Sequence, residues 1–221
     1  MLKKSIKIQY LLGLPKTLYF NLKYFGFKKG IKLPVILSSN VLLRNCKGCV
    51  FVKEGSRIRI GFGDVGIFDI EKRRTIWDVT GLVNFLGDAF IGHGTKINVL
   101  SDGELVIGDS FRISAESSII CTKKIIFGIN NLISWDVLIM DSDFHHVVDN
   151  NNQNRMGNSS DIIFSDNVWI GCRCLITKGV FINNNTVISA GTTLYKKCDK
   201  ENVILSSNNQ IVIKTDVSWV K

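Results

Sequence analysis

The chain is poor in residues that interrupt a fold or join separate domains. Its 221 residues include two prolines and three histidines, and no Ser/Gly tract resembles an interdomain linker. No run of eighteen uninterrupted apolar residues occurs, so we expect no membrane-spanning helix. The apolar run at 11–14 is short, meets Pro15 and lacks a small-residue cleavage site, which argues against a signal peptide. These absences predict a single cytoplasmic domain.

Paired metal-binding cysteines are also missing. The chain has six cysteines, but Cys46 and Cys49 form a single C-x-x-C motif without a second pair or a histidine at zinc spacing. Reduced thiols are the rule in the cytosol. We therefore expect neither a bound metal nor a structural disulfide.

Acidic residues are absent from the first quarter of the chain. The net charge is +9, and eleven lysines and arginines precede the first acidic residue, Glu54. Aromatic residues are interleaved with the early lysines. Residues 1–32 are therefore either a helical cap on the end of the fold or an amphipathic segment that contacts an anionic membrane, and the two roles are compatible. Nucleic-acid binding is less well supported, because no reading motif accompanies the charge.

The strongest pattern is a six-residue period in the second half of the chain. A period of six fits neither an amphipathic helix nor a half-buried strand, and it is typical of a hexapeptide repeat in a parallel β-helix. Small or apolar residues at a second position, four residues later, also point inward. The primary inward positions are Phe164, Ile170, Ile176, Ile182, Ile188 and Leu194, and the secondary ones are Val168, Cys174, Val180, Thr186 and Thr192.

The same repeat extends toward the amino terminus. Counted from Ile91, about a dozen hexapeptides make roughly four coils, and residues 33–83 are expected to add irregular ones. A change of phase before Phe127 predicts a small bulge at Lys124 and Ile125. We therefore assign residues 33–221 to one β-helical domain with a carboxyl-terminal tail.

One long interruption of the repeat, near 141–162, is the predicted functional loop. Loops of this length in a regular fold more often have a function than serve only as connections. If 141–145 are extended, Asp141, Asp143 and His145 project to one side, so that a carboxylate could orient an imidazole that accepts a proton from a hydroxyl. The alternative is an ordinary surface His-His pair made by His145 and His146.

Three stretches resemble the hexapeptide-repeat acyltransferase superfamily. They are NNLISWDVLIMDSDFHHV (130–147), NVWIGCRCLITKGVFINNNTVISAGTTL (167–194) and a looser NVILSSNNQIVIK (202–214). Within the superfamily the chain is similar to sugar O-acetyltransferases of the galactoside and maltose type, and GFGDVGIF and ISAESSI resemble the capsule and lipopolysaccharide branch. The resemblance implies an all-β, left-handed parallel β-helix that uses acetyl-CoA without a metal.

The resemblance also implies roles for individual residues. His145 falls on the family's catalytic histidine, and Asp143 and Asp141 are the carboxylates that the alternation described above places on its side. The acceptor sugar would contact Ser114, Glu116 and Trp135. Acetyl-CoA would lie against the following residues: Trp169, Cys172, Ala190, Gly191, Tyr195, Lys196 and Lys214.

Assembly and mechanism follow from the same resemblance. Relatives form trimers with sites between subunits, which implies a homotrimer and a ternary-complex transfer of acetyl to a sugar or polysaccharide hydroxyl. The chain departs from relatives at Ser207–Ile211, where a proline-containing turn usually closes over the nucleotide. An N-acetyltransferase acting on a nucleotide-linked amino sugar and a non-catalytic scaffold in polysaccharide assembly remain alternatives. A γ-class carbonic anhydrase needs three zinc-bound histidines, and the three present include an adjacent pair.

Overall fold

The computed structural model describes residues 2–70, 72–146, 148, 157–206 and 211–219, with backbone only for 2–7 and 211. Within these residues the chain forms one helix, α1 (Leu2–Gly30), and 22 strands. The strands are β1 (Val35–Leu37), β2 (Val41–Cys46), β3 (Cys49–Val52), β4 (Ile58–Phe62), β5 (Thr75–Val79), β6 (Leu82–Phe85), β7 (Ala89–Gly92), β8 (Lys96–Val99), β9 (Glu104–Ile107), β10 (Phe111–Ala115), β11 (Ser118–Cys121), β12 (Lys124–Phe127), β13 (Leu132–Trp135), β14 (Leu138–Met140), β15 (Ile162–Phe164), β16 (Trp169–Ile170), β17 (Leu175–Ile176), β18 (Phe181–Ile182), β19 (Val187–Ile188), β20 (Thr193–Leu194), β21 (Ile204–Ser206) and β22 (Ile211–Lys214).

Successive strands belong to three different sheets, so the chain winds as a parallel β-helix. The first sheet has the order β1-β4-β7-β10-β13-β16-β19-β21-β22, the second β2-β5-β8-β11-β14-β17-β20, and the third β3-β6-β9-β12-β15-β18. Every pairing in these sheets is parallel except β21 with β22, which is antiparallel. We call the corner between the first and second sheets the first edge, that between the second and third the second edge, and that between the third and first the third edge.

The interior consists of identical positions stacked from coil to coil. Phe127 and Phe164, paired in the third sheet, stack with ring centroids 5.0 Å apart, and Phe111 of the first sheet packs at a tilt on Phe127 with ring centroids 4.9 Å apart. All eleven inward residues predicted from the six-residue period between 164 and 194 are at most 2% exposed. The predicted repeat is therefore confirmed. Each coil thus buries its apolar side chains against the neighbouring coils.

The third edge shows why asparagine recurs in the repeat. Asn130, Asn167 and Asn185 have φ of 58°, 57° and 54°, in the left-handed region that asparagine tolerates better than most residues. Their side chains form a ladder, in which Asn130 Nδ2 donates to Asn167 Oδ1 (2.7 Å) and Asn167 Nδ2 to Asn185 Oδ1 (3.1 Å). The asparagines thus turn the backbone and also bind one coil to the next.

The bulge expected at Lys124 and Ile125 is wrong. Both residues lie in β12, which pairs in regular register with β9 and β15, and Ile125 is fully buried. The change of phase arises because strands such as β12 direct two residues inward, Ile125 and Phe127.

Helix α1 covers the first coil. Asn21 exchanges hydrogen bonds with the carbonyl and amide of Val35, at 2.6 and 3.1 Å, and Thr17 Oγ1 accepts the amide of Leu37 at 3.0 Å. These side chains satisfy backbone groups that an uncovered terminal strand would leave unpaired. Phe20 is fully buried against Trp77, with ring centroids 5.3 Å apart. The helix is interrupted at Gly26, whose φ is 66°.

No helix in the described part of the chain is long and apolar enough to cross a membrane. The six cysteines are all free thiols. Among the described residues there is also no cluster of three His, Cys, Asp or Glu side chains that could hold a metal ion.

Candidate active site

The predicted functional loop leaves the solenoid at the second edge and returns there. Its base is a short antiparallel pairing, in which Ser142 bridges Ser159, Asp143 N donates to Asn158 O (2.8 Å), and Ser160 N donates to Asp141 O (3.0 Å). Residues 149–156 of the loop lie outside the described residues. The two-stranded base fixes the point from which His145 projects.

Asp141 anchors this base and is not available to His145. Its carboxylate is fully buried and accepts four hydrogen bonds from the coil below: from Thr122 N (2.7 Å), Thr122 Oγ1 (2.8 Å), Lys123 N (2.8 Å) and Lys124 N (2.9 Å). Four donors occupy the acceptor sites of a carboxylate. The predicted catalytic role of Asp141 is therefore corrected to a structural one.

Asp143 also has another partner. Its Oδ2 lies 2.5 Å from Lys178 Nζ, which also donates to Gly157 O at 2.9 Å. Lys178 belongs to the next coil, so this ion pair clips both strands of the loop base to the solenoid. The ion pair thus fixes Asp143 at the same edge as His145.

The expected extended conformation of 141–145 is wrong. Phe144 has a φ of 62°, and its amide donates to Ser142 Oγ at 3.0 Å, closing a tight turn. The turn redirects the chain after Asp143, so the alternation of an extended strand does not apply to His145. Both His145 and His146 are exposed. The imidazole of His145 is therefore accessible from solvent.

Trp169 opens β16 and lies on the outer face of the first sheet. It is 37% exposed, and its Nε1 donates to Ser134 Oγ at 3.2 Å. Trp219, which the sequence did not single out, packs beside it with ring centroids 6.2 Å apart and donates from Nε1 to Asn167 O at 2.6 Å. The carboxyl-terminal segment therefore folds back onto the first sheet and places a second indole ring beside Trp169.

Three of the residues expected to contact CoA meet on successive coils at the first edge. Cys172 is half-buried, and its carbonyl accepts the amide of Gly191 at 2.8 Å. Ala190 and Gly191 are exposed, and Gly191 has a φ of 73°. Burial raises the pKa of the neighbouring Cys174 thiol to about 11, so Cys174 stays protonated in the core.

The remaining CoA candidates lie elsewhere. Tyr195 and Lys196 follow β20 at the second edge, and both are exposed, with the Lys196 ammonium 5.3 Å from the Tyr195 ring centroid. Lys214 ends β22 at the carboxyl-terminal edge of the first sheet and is also exposed. Of the altered turn, 207–210 lie outside the described residues.

The acceptor candidates divide into two kinds. Ser114 lies in β10 and Trp135 at the end of β13, both in the first sheet, and both side chains are half-buried. The side chain of Glu116 is only 2% exposed and pairs with Lys96 Nζ (2.8 Å) and Arg73 Nη1 (3.4 Å). Direct sugar contact by Glu116 does not fit this burial, because its carboxylate lies beneath those two cations.

Beside Glu116 the structure shows a buried histidine that sequence reasoning overlooked. His93 is 1% exposed at the first edge, where its imidazole lies beside the backbone of Gly63. Its pKa is lowered, chiefly by burial and partly by Lys96, although Glu116 and Asp64 oppose the shift. Phe68, from the loop between β4 and β5, packs on the imidazole with ring centroids 6.2 Å apart. Only the position of His93 within a hexapeptide run could have signalled its burial.

Comparison with known proteins identifies the fold. The chain is 20% identical to the polySia-specific acetyltransferase NeuO, with a TM-score of 0.51 over 85% of this chain and 79% of that one. The fold is the left-handed parallel β-helix of the hexapeptide-repeat acetyltransferases. The fold class read from the sequence is therefore confirmed.

Two further similarities accompany this one. The polysialic acid O-acetyltransferase OatWY is 19% identical, with a TM-score of 0.46 over 85% of this chain and 87% of that one. A "24.8 kDa protein in cps region" of Klebsiella pneumoniae is 24% identical over 199 residues, 87% of this chain and 84% of that protein. No family model matches the chain.

Proposed function

We propose that the protein is an acetyl-CoA-dependent O-acetyltransferase that acts on a hydroxyl of a sugar or surface polysaccharide precursor. The observation that carries the proposal is the exposed His145, placed by a loop base that Asp141 and Lys178 fix to the solenoid. The fold shared with NeuO and the similarity to a protein of a cps region support a polysaccharide setting.

The chemistry needs a base for a weak nucleophile. A neutral imidazole at position 145 accepts the proton of the acceptor hydroxyl as its oxygen attacks the thioester carbonyl, and the CoA thiolate leaves. No covalent acyl-enzyme forms, so both substrates must be bound together. Asp143 contributes by holding the loop base, through its ion pair with Lys178.

The surface proposed for acetyl-CoA offers suitable chemistry. Trp169 presents a partly exposed ring, and Gly191 exposes backbone beside Cys172 and Ala190 for the pantetheine arm. Exposed cations at Lys196 and Lys214 suit the phosphates of the nucleotide end, with Tyr195 beside the adenine. Ser114 and Trp135 remain the proposed acceptor contacts.

The separation of these groups supports a site built by two subunits of a homotrimer. His145 lies at the second edge of the solenoid, whereas Cys172, Ala190 and Gly191 lie at its first edge. The second sheet separates the two edges within one chain. A neighbouring copy that packs its first edge against the second edge brings them together. Cyclic assembly of three copies repeats that contact and closes the ring.

The test combines binding with turnover. Calorimetry measures acetyl-CoA binding, and CoA release is followed with glycosides and amino sugars for wild type, His145→Ala and the adjacent control His146→Ala. We expect His145→Ala to lower kcat by about 10²–10⁴-fold, typical of a lost general base, without weakening acetyl-CoA binding. His146→Ala should stay within a few fold of wild type.

Other outcomes distinguish the alternatives. Turnover with amino sugars alone would replace the O-acetyl proposal with N-acetylation. Absence of acetyl-CoA binding would favour the scaffold, and ping-pong kinetics would contradict the ternary complex.

We also propose that α1 rests on the anionic inner face of the cytoplasmic membrane. Its outer side exposes large apolar residues, including Leu11 (70%), Leu12 (62%) and Phe27 (76%), alongside the exposed Lys28 and Lys29. Apolar contact combined with cations suits an anionic lipid surface. This location would suit an enzyme that modifies lipid-linked glycans.

Vesicle sedimentation tests this contact. Wild type should bind phosphatidylserine vesicles more tightly than phosphatidylcholine vesicles, and Leu11→Ser/Leu12→Ser should lose most of that binding. The control Ile67→Ser/Leu86→Ser removes apolar residues that are 65% and 45% exposed elsewhere. Equal losses in the two double variants would contradict a role for the helix.

A further inference from the structure

A cavity of about 500 Å³ lies between α1 and the amino-terminal half of the first sheet, away from the predicted catalytic loop. Three arginines line it, Arg57, Arg59 and Arg112, together with the rings of Tyr10 and Phe90. Tyr10 is held there by stacking on Phe62, with ring centroids 4.2 Å apart. The cavity thus joins concentrated positive charge to flat aromatic surface.

Two of the three arginines, Arg59 and Arg112, are positioned against the ring of Phe90. Arg59 and Arg112 flank Phe90 in the strand register, and their guanidinium carbons lie 5.5 and 4.6 Å from the centre of its ring. Within the described part of the chain none of the three arginines forms an ion pair. Asp88, the one acid in the lining, accepts the backbone amide of Arg57 at 2.8 Å. The guanidinium groups therefore keep donors for another partner.

The row of outward side chains continues from this cavity toward the proposed site. Arg59, Phe90, Arg112, Leu132 and Trp169 occupy paired positions on five neighbouring strands. Neighbouring strands lie about 4.8 Å apart, so the backbone of Trp169 is about 10 Å from that of Arg112. A ligand that lies along the row can contact both arginines and reach Trp169.

We propose that this row, with the cavity, binds an acidic glycan through the carboxylate or phosphate groups of its sugars. Guanidinium forks bind such groups through paired hydrogen bonds and stay charged at every physiological pH. The net charge of +9 favours the approach of a polyanion. That this glycan is also the acetyl acceptor rests on the proposed function, whereas its binding does not.

The test measures binding of two probes by titration calorimetry: a carboxylated glycan, oligogalacturonate, and a phosphorylated one, dextran phosphate oligomers. Uncharged maltohexaose is the ligand control. Arg59→Gln/Arg112→Gln removes both cations flanking Phe90, and Lys47→Gln/Lys200→Gln removes two exposed charges elsewhere. We expect at least one acidic probe to bind at low salt, at least tenfold more weakly to the arginine variant and within twofold of wild type to the lysine variant.

The contrary outcomes are distinct. Failure of both acidic probes to bind wild type would overturn the proposal, as would equal binding by wild type and the arginine variant. Loss of phosphatidylserine vesicle binding in the arginine variant without glycan binding would reassign the row to lipid headgroups. CoA release from acetyl-CoA is measured in parallel. Glycan binding that depends on the arginines, without any acetyl transfer, would support this proposal and contradict the proposed function.

Discussion

At the residue scale, His93 is the clearest case of a side chain whose surroundings determine its charge. It is buried at the first edge, and its pKa is lowered mainly because burial disfavours the imidazolium. The unfolded chain binds a proton near pH 6.5 and the folded chain only at a lower pH. The free energy of unfolding is therefore highest above pH 6.5 and decreases as the pH falls from 6.5 toward the folded-state pKa of His93. For one proton the decrease is at most about 1.4 kcal/mol per pH unit.

Urea unfolding at pH 5.5, 6.5 and 7.5 checks this prediction. His93→Gln, which does not titrate, should show a smaller loss of unfolding free energy between pH 6.5 and 5.5 than wild type. Thr95→Val, at a buried position of the same edge that carries no titratable group, serves as the control and should retain the wild-type pH dependence. If His93→Gln and wild type lose the same free energy, the buried histidine does not set the acid sensitivity.

At the scale of elements, the second edge depends on a single carboxylate that joins two coils. Asp141 accepts four hydrogen bonds from 122–124, so Asp141→Asn replaces acceptors with a donor facing backbone amides. Buried donors left unpaired cost about 1–3 kcal/mol each, and we expect a loss of about 3 kcal/mol in unfolding free energy. Denaturant unfolding measures it.

Asp143→Asn is the matched control for this variant. Its ion pair with Lys178 joins side chains that are 46% and 29% exposed, so its loss should cost less than about 1 kcal/mol. We expect this change to lower turnover by loosening the base of the loop. Similar destabilisation by both variants would show that Asp141 has no special structural role.

These two aspartates show which features could be predicted from the sequence and which could not. The period of six predicted the inward residues because every coil repeats the same strand length and corner, as Ile170, Ile176 and Ile182 show. The role of Asp141 depends on a corner 17–19 residues earlier in the chain. No local spacing encodes that contact, and the turn at Phe144 likewise disrupted the alternation on which the carboxylate–histidine alignment was based.

The same limit applied to contacts made across coils. Trp219 reaches Trp169 from the far end of the chain, and His93 acquires its environment from Phe68 and Glu116 on other coils. The fold class was therefore accessible from the sequence. The partners that surround each candidate residue became visible only in three dimensions.

At the scale of the whole molecule, the decisive question is whether one site needs two copies of the chain. His145 lies at the second edge and Ala190, on the surface proposed for CoA, at the first edge. We expect His145→Ala to be inactive because it removes the proposed general base, and Ala190→Trp to be inactive because an indole at this exposed position obstructs the proposed path of the pantetheine arm. Neither substitution removes a core side chain.

Mixing the two inactive variants then separates the arrangements. In a cyclic trimer that contains both variants, about one third of the sites formed between neighbours combine an intact His145 with an intact Ala190. Co-expression with two affinity tags, followed by CoA-release assays on doubly purified protein, should therefore recover a substantial part of wild-type turnover. If the doubly tagged oligomers stay inactive, both groups of each site come from one chain. Recovered activity would mean that the active site forms only where the first edge of one copy meets the second edge of another.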